Sequence, residues 1–235
     1  MICISCKHEH QEKFCPNCGE KSDVKKITFT SIIENAFSTI TNMDKGFLFN
    51  IKALITNPAK ITNDFILGKR KGILNPISFL IISISIYLIV ESFFKIPNDQ
   101  LEPIVNSEGY SKGYIYGRTT GKLIYIYLKY FLIFSIFLLG NSTKIIFNKY
   151  NYLEHISISS FIIGLAVLLS TITYLIFRIP ILFNPILYIV IFMMVYSVFT
   201  AGERKFDSSL SSFSALILFI IQLIIVILIA GLIMA

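Results

Sequence analysis

The chain carries four thiols, at Cys3, Cys6, Cys15 and Cys18, and no other cysteine. Their pattern is C-x2-C-x8-C-x2-C. A two-residue gap lets both sulfurs of one tight turn reach the same ion, and two such turns supply the four thiolates of a tetrahedral zinc site. In the second turn, Cys15-Pro16-Asn17-Cys18-Gly19, proline presets φ and glycine accepts a left-handed backbone. The eight-residue gap suits a short hairpin. A module this small has no apolar core of its own, so metal binding would supply its folding energy. A rubredoxin-like iron site or two disulfides would use the same four residues. His8 and His10 fall in the hairpin, and four thiolates complete the shell without them.

These thiols head a chain of membrane composition. Of 235 residues, 54% are hydrophobic and 15% charged, with mean hydropathy +0.71; a soluble domain would carry roughly 25% charged residues. Residues 1–72 hold 18 of the 35 acidic and basic residues. The polar, Cys-rich start lacks the apolar stretch of a secretory signal. Residues 1–26 hold five Lys and four acids, and a zinc tetrathiolate adds about two negative charges. The metallated module is then close to neutral, which argues against nucleic-acid binding and for docking to a protein.

Three zones follow: a zinc ribbon at 1–24, amphipathic helices at 25–72, and a polytopic membrane domain at 73–235. In the second zone Phe29, Ile32, Ile33, Ala36, Phe37, Ile40 and Met43 recur at helical spacing, with Ser31 and Glu34 at capping-box spacing. Asp44-Lys45-Gly46 reads as a turn and Phe47 to Ile55 as a second helix. Asn57-Pro58 reads as the N-terminus of a third helix, stopping at Gly68. These segments are too polar to span. They lie on the membrane surface, pack on the ends of the spanning helices, or do both at once. Lys69, Arg70 and Lys71 then read as a positive-inside anchor, with anionic headgroup recognition as the alternative.

Five spans are predicted, at about 76–94, 123–140, 156–177, 185–201 and 213–234, with Ile181 to Phe183 as an alternative start of the fourth and four spans as the alternative count. Asn75-Pro76 and Asn184-Pro185 read as helix starts, and Arg178-Ile179-Pro180 as the end of the third span. With the N-terminus inside, inner segments collect 15 Lys and Arg and outer segments five. This predicts a cytosolic N-terminus and an extracytoplasmic C-terminus. A reducing cytosol leaves the thiols free for metal. The expected fold class is therefore an all-α integral membrane protein with a small N-terminal zinc ribbon.

Within the spans polar groups are few. Glu91 and Lys129 are expected to pair near the outer face, and Gln222 to bond a neighbouring helix. His155 abuts the third span with only Glu154 beside it. Gly117 to Lys122 superficially suggests a phosphate loop. It has three residues between its glycines instead of four, and Leu123 stands where a magnesium-binding hydroxyl belongs. Gly109, Gly113, Gly117 and Gly121 read as a turn or hairpin in an outer loop. No nucleophile–base constellation, carboxylate pair or catalytic metal motif is found, and no enzyme is expected.

The run FCPNCG, followed by DKGFLFNIKALITNPAKITNDFILGKRKGILNPISFL, resembles the zinc-ribbon membrane proteins called domain of unknown function 3667, found largely in Bacteroidota. The resemblance covers roughly Cys3 to Leu80. It rests on the CPNCG turn, Asp44-Lys45-Gly46-Phe47, Leu54 with Pro58, and Gly68-Lys69-Arg70 before Asn75-Pro76. It implies a bacterial inner-membrane protein and supplies no activity. A weaker architectural likeness is to Yip1-type proteins, with a cytosolic N-terminal region before five membrane helices. The expected function is a non-enzymatic membrane adaptor whose zinc ribbon docks a partner protein. The alternative is a small channel, transporter subunit or membrane-perturbing effector.

Overall fold

Asparagine–proline pairs start three of the helices. Asn57, Asn75 and Asn184 each place a side-chain oxygen on a backbone N–H of the first turn, and proline follows at the first helical position. The computed structural model describes residues 1–21, 47–94, 112–200 and 205–234. In chain order its helices are α1 (Phe47–Thr56), α2 (Pro58–Ile66), α3 (Pro76–Phe93), α4 (Lys112–Ile146), α5 (Tyr152–Phe177), a 3-10 turn (Ile181–Phe183), α6 (Pro185–Phe199) and α7 (Lys205–Met234). Asn151 and Glu154 close a reciprocal capping box on α5. Gly68, at φ 95°, follows α2, and Arg178, at φ 58°, ends α5 in a left-handed turn. Apart from the isolated bridges Ile2↔Glu9 and Phe14↔Lys21, the described residues are helical or irregular.

Three helices are long and apolar enough to cross a membrane: α3, α5, and α7 over Asp207–Leu232. These are the features of a membrane protein. The described apolar part of α4, Tyr130–Ile146, and the whole of α6 are shorter.

Helix α5 is the centre of the bundle, with α3, α4 and α6 packed around it. Three of its hydroxyls are satisfied within the helix: Ser157, Ser160 and Thr171 donate to the carbonyls of Leu153, Ile156 and Val167 one turn back. Glycine lets neighbours approach. A Cβ on Gly164 would fall 2.7 Å from Phe79 Cδ1 and 3.3 Å from Leu80 Cα, so α3 crosses α5 there. Gly140 of α4 meets Ile156 of α5 in the same way, at 3.2 Å. Helix α7 lies against α4 and leaves Ile217, Ile221, Ile224 and Leu228 exposed, an apolar face suited to acyl chains.

Aromatic contacts mark the two ends. At one, Phe47 meets Phe79, Phe65 meets Phe161 edge-on, and Phe147 stacks on Phe199. At the other, Phe94 and Tyr87 both meet Tyr174. Helices α1 and α2 therefore pack on the bundle, one of the placements open from the sequence. Leu54 is wholly enclosed and Phe65 nearly so. The amphipathic stretch from Phe29 to Met43, its capping pair Ser31 and Glu34, and the turn at 44–46 lie outside the described residues.

The expected turn or hairpin around Gly113, Gly117 and Gly121 is corrected: all three sit inside α4. A four-residue spacing is also a helical spacing, and it places them on one face. Helix α4 has 35 residues, about 52 Å at 1.5 Å per residue. Gly109 lies outside the described residues.

Candidate metal centre and the basic strip beside it

The two cysteine turns share one backbone plan. Cys3 N–H donates to His8 O and Lys7 N–H to Cys3 O; Cys15 N–H donates to Glu20 O and Gly19 N–H to Cys15 O. Each turn ends in a left-handed residue, Lys7 at φ 62° and Gly19 at φ 71°. Glycine at the second was legible in the sequence, whereas lysine at the first carried no such signal. The Met1 ammonium closes the module on His10 O at 2.7 Å.

This plan turns all four sulfurs inward. Cys3 and Cys18 Sγ are 3.5 Å apart, as are Cys6 and Cys15 Sγ, and the four lie within 4.8 Å of one another. The thiols are free, so disulfides are not the arrangement found. A tetrahedral ion with bonds of about 2.3 Å holds its sulfurs roughly 3.8 Å apart, inside the range seen here. The proton balance points the same way. Cys6 is pulled down to about 6, first by the His8 backbone N–H. The Glu20 N–H pulls on Cys18, but burial and the thiols of Cys3, Cys6 and Cys15 together push it up to about 12. Four ionised sulfurs at this spacing repel, and a divalent cation removes that repulsion. The four cysteines thus fit a metal ion, and neither His8 nor His10 belongs to the cluster.

Lys69, Arg70 and Lys71 lie in the turn between α2 and α3, and each has its own contact. Lys69 Nζ pairs with Asp64 at 3.2 Å. The Arg70 guanidinium lies over the Phe65 ring, 5.3 Å from its centroid. Burial lowers the Arg70 pKa, and the Glu20 carboxylate opposes that shift. Lys71 Nζ stands 3.8 Å from the point where a Cβ on Gly19 would lie. Glu20 itself is 9% exposed and accepts from Ser5 Oγ at 3.1 Å. The last turn of the cysteine module therefore sits beside the basic strip.

Asn50 fixes the strip from below. Enclosed in α1, it accepts from Leu74 N–H at 3.1 Å and donates to Gly72 O at 3.4 Å. Sequence reading passed over it, although a lone amide one turn before Leu54 on an apolar helix was a signal. A second missed pair is Thr143 and His155, whose Oγ1 and Nδ1 are 2.9 Å apart, with the imidazole stacked on Phe199.

The other expected groups are dispersed. Glu91 lies near the end of α3 and hydrogen-bonds with the Tyr87 side chain. Lys129 belongs to α4, but its side chain lies outside the described set, and with it the expected Glu91–Lys129 pair. Helix α3 packs chiefly on α5 and only lightly on α4. Gln222 is in α7, and its Oε1 is buried with no hydrogen-bond partner among the described residues, so that oxygen does not make the expected interhelical bond.

A family model described as "Protein of unknown function (DUF3667)" matches residues 44–88. No curated protein and no solved structure matches the chain. The matched segment spans α1, α2, the basic strip and most of α3. It bears out the resemblance there, and reaches past Leu80 while leaving the cysteine module outside.

Proposed function

We propose that the protein is a non-enzymatic adaptor of a bacterial inner membrane, with a cytosolic zinc ribbon presented on a five-helix anchor. The observation that carries this reading is the convergence of Cys3, Cys6, Cys15 and Cys18 within 4.8 Å, on a chain whose other described residues build an apolar bundle. Four thiolates suit zinc, a thiophilic ion without geometric preference. The ribbon then offers a rigid polar surface of the kind that proteins dock on.

Five spans follow if α4 and α6 cross with the other three. The contacts at the two ends support this reading, because the end of α4, the start of α5 and the end of α6 meet around Phe147, His155 and Phe199. The excess of Lys and Arg at that end supports an inside N-terminus. Cysteines placed singly at Thr56 and Phe183, in a chain lacking the native four, test the orientation. An impermeant maleimide should label the Phe183 position in intact cells and the Thr56 position only after lysis. The reverse pattern removes this topology.

The adaptor reading is tested by cross-linking in native membranes, wild type against the Cys15→Ser, Cys18→Ser double variant. A partner set lost in the variant, with its spans still inserted, supports docking through the ribbon. An unchanged partner set, or ion flux through purified protein in liposomes, moves the assignment to a channel or transporter subunit.

A further inference from the structure

We propose that the outward face of α1, formed by Leu48, Phe49, Lys52 and Ile55, is a lipid-contacting surface seated among the acyl chains of the leaflet in which α3 begins, the inner one in the orientation proposed above. The inference goes beyond the adaptor reading, since it needs neither a partner protein nor a bound metal.

Helical spacing divides α1 into two faces. Leu48, Lys52 and Ile55 follow one another at four and three residues, and Phe49 stands three before Lys52, so the four share one side. All four are exposed, Leu48 at 78%, Phe49 at 55% and Ile55 at 54%. The opposite side does the packing. Asn50 and Leu54 are wholly enclosed there, and the Phe47 ring lies 5.3 Å from that of Phe79 between centroids. The outward face is therefore apolar surface that the bundle does not use.

Two ties fix its level. Phe79 belongs to the first turn of α3, which starts at Pro76. Asn50 bonds Gly72 O and Leu74 N–H, just before that helix begins. Leu48 and Phe49 fall between Phe47 and Asn50 in the chain. They stand where the chain enters a helix apolar enough to cross a membrane. An apolar helical face at that level meets the boundary between headgroups and acyl chains. Lys52 is the single cation of α1, and its flexible stem lets the ammonium reach the phosphate level while the helix stays among the chains.

Helix α2 supplies the contrast. It packs beside α1 and buries Ile61 and Phe65, but it exposes Lys60 and Asn63. The two neighbours turn different chemistries outward: that of α2 suits water and that of α1 suits lipid. Through Asn50, the lipid contact of α1 holds the turn between α2 and α3, and the cysteine module beside it, at the membrane surface.

The chain contains no tryptophan, so a single introduced indole is a unique fluorophore. Full-length chains carrying Phe49→Trp or Leu48→Trp are placed in phosphatidylcholine nanodiscs whose acyl chains are plain or brominated. Bromine quenches an indole among the chains, and iodide in the buffer quenches one in water. Both variants replace exposed side chains and should melt like the parent, so either can carry the test if the other fails to fold. Each should lose most of its emission in brominated lipid and little to iodide, as should Ile81→Trp on the exposed side of α3. Asn63→Trp, on the exposed side of α2, should behave in the opposite way. Quenching of the α1 positions by iodide and not by bromine places the face in water and overturns the proposal. Protection from both quenchers also overturns it, in favour of a protein cover, either a second copy of the chain or residues 22–46. Both of these results leave the metal centre and the adaptor reading standing, because neither an ion nor a partner enters the measurement.

Discussion

Cys15 and Leu139 are both almost wholly enclosed, but for different reasons. Leu139 belongs to one apolar cluster, to which α4, α5 and α7 contribute residues such as Ile136, Ile158, Phe161 and Phe219. Around Cys15 there is no such cluster. The module has two isolated bridges, a few backbone hydrogen bonds and four inward-facing sulfurs, while Met1, Ile2 and Phe14 remain exposed. The bundle is stabilised by packing, and the ribbon depends on whatever its sulfurs hold. One region should therefore fail through loss of ligand atoms and the other through loss of fit.

The largest expected effect falls on the ribbon. Cys15→Ser with Cys18→Ser should abolish metal retention and unfold residues 1–21, since binding at such sites is worth about 10 kcal/mol or more. Elemental analysis and proteolysis of the N-terminus measure the two outcomes, and the bundle should melt as before. Retained metal would break the comparison. Acid should act in the same direction. At pH 7 Cys6, at about 6, is mostly ionised, whereas Cys18, at about 12, must release its proton when metal binds. Zinc affinity should thus rise with pH through neutrality and fall as pH falls, as a competition titration against a chelator would read.

Next comes fit within the bundle. Gly164→Leu forces a side chain into the α3–α5 crossing and should destabilise by about 1–3 kcal/mol, with metal content unchanged. Thermal unfolding in detergent measures it. Asn50→Ala strips the Leu74 N–H of its acceptor, for about 1–3 kcal/mol. It sharpens the comparison because Asn50 lies where the two regions meet. Asn184→Ala removes the cap of α6 and the bond to Thr173 Oγ1, for about 1 kcal/mol. A loss of metal in Gly164→Leu or Asn184→Ala protein would show the regions to be less separate than their packing implies.

What the sequence made legible were local devices. Each cysteine turn, the three asparagine–proline starts and the Gly68 stop are decided within five residues, and each stands where it was expected. The placement of α1 and α2 was not legible, because an apolar stripe suits a lipid surface and a neighbouring helix equally. Gly113, Gly117 and Gly121 misled because glycine is a turn signal, and its four-residue recurrence inside a helix depends on flanking residues that tolerate it. Polar residues were hardest to read. Asn50 and Thr143 find partners 24 and 12 residues away, a separation that no spacing rule reports.

The helix starts at Asn57, Asn75, Asn151 and Asn184 have a consequence for synthesis. Each cap is complete within three residues of its asparagine. It can therefore close while the chain is still leaving the ribosome, before any packing partner has been made. The first residue of each of these helices is settled in the order of translation, and later packing has only to dock rods whose N-terminal ends are already defined.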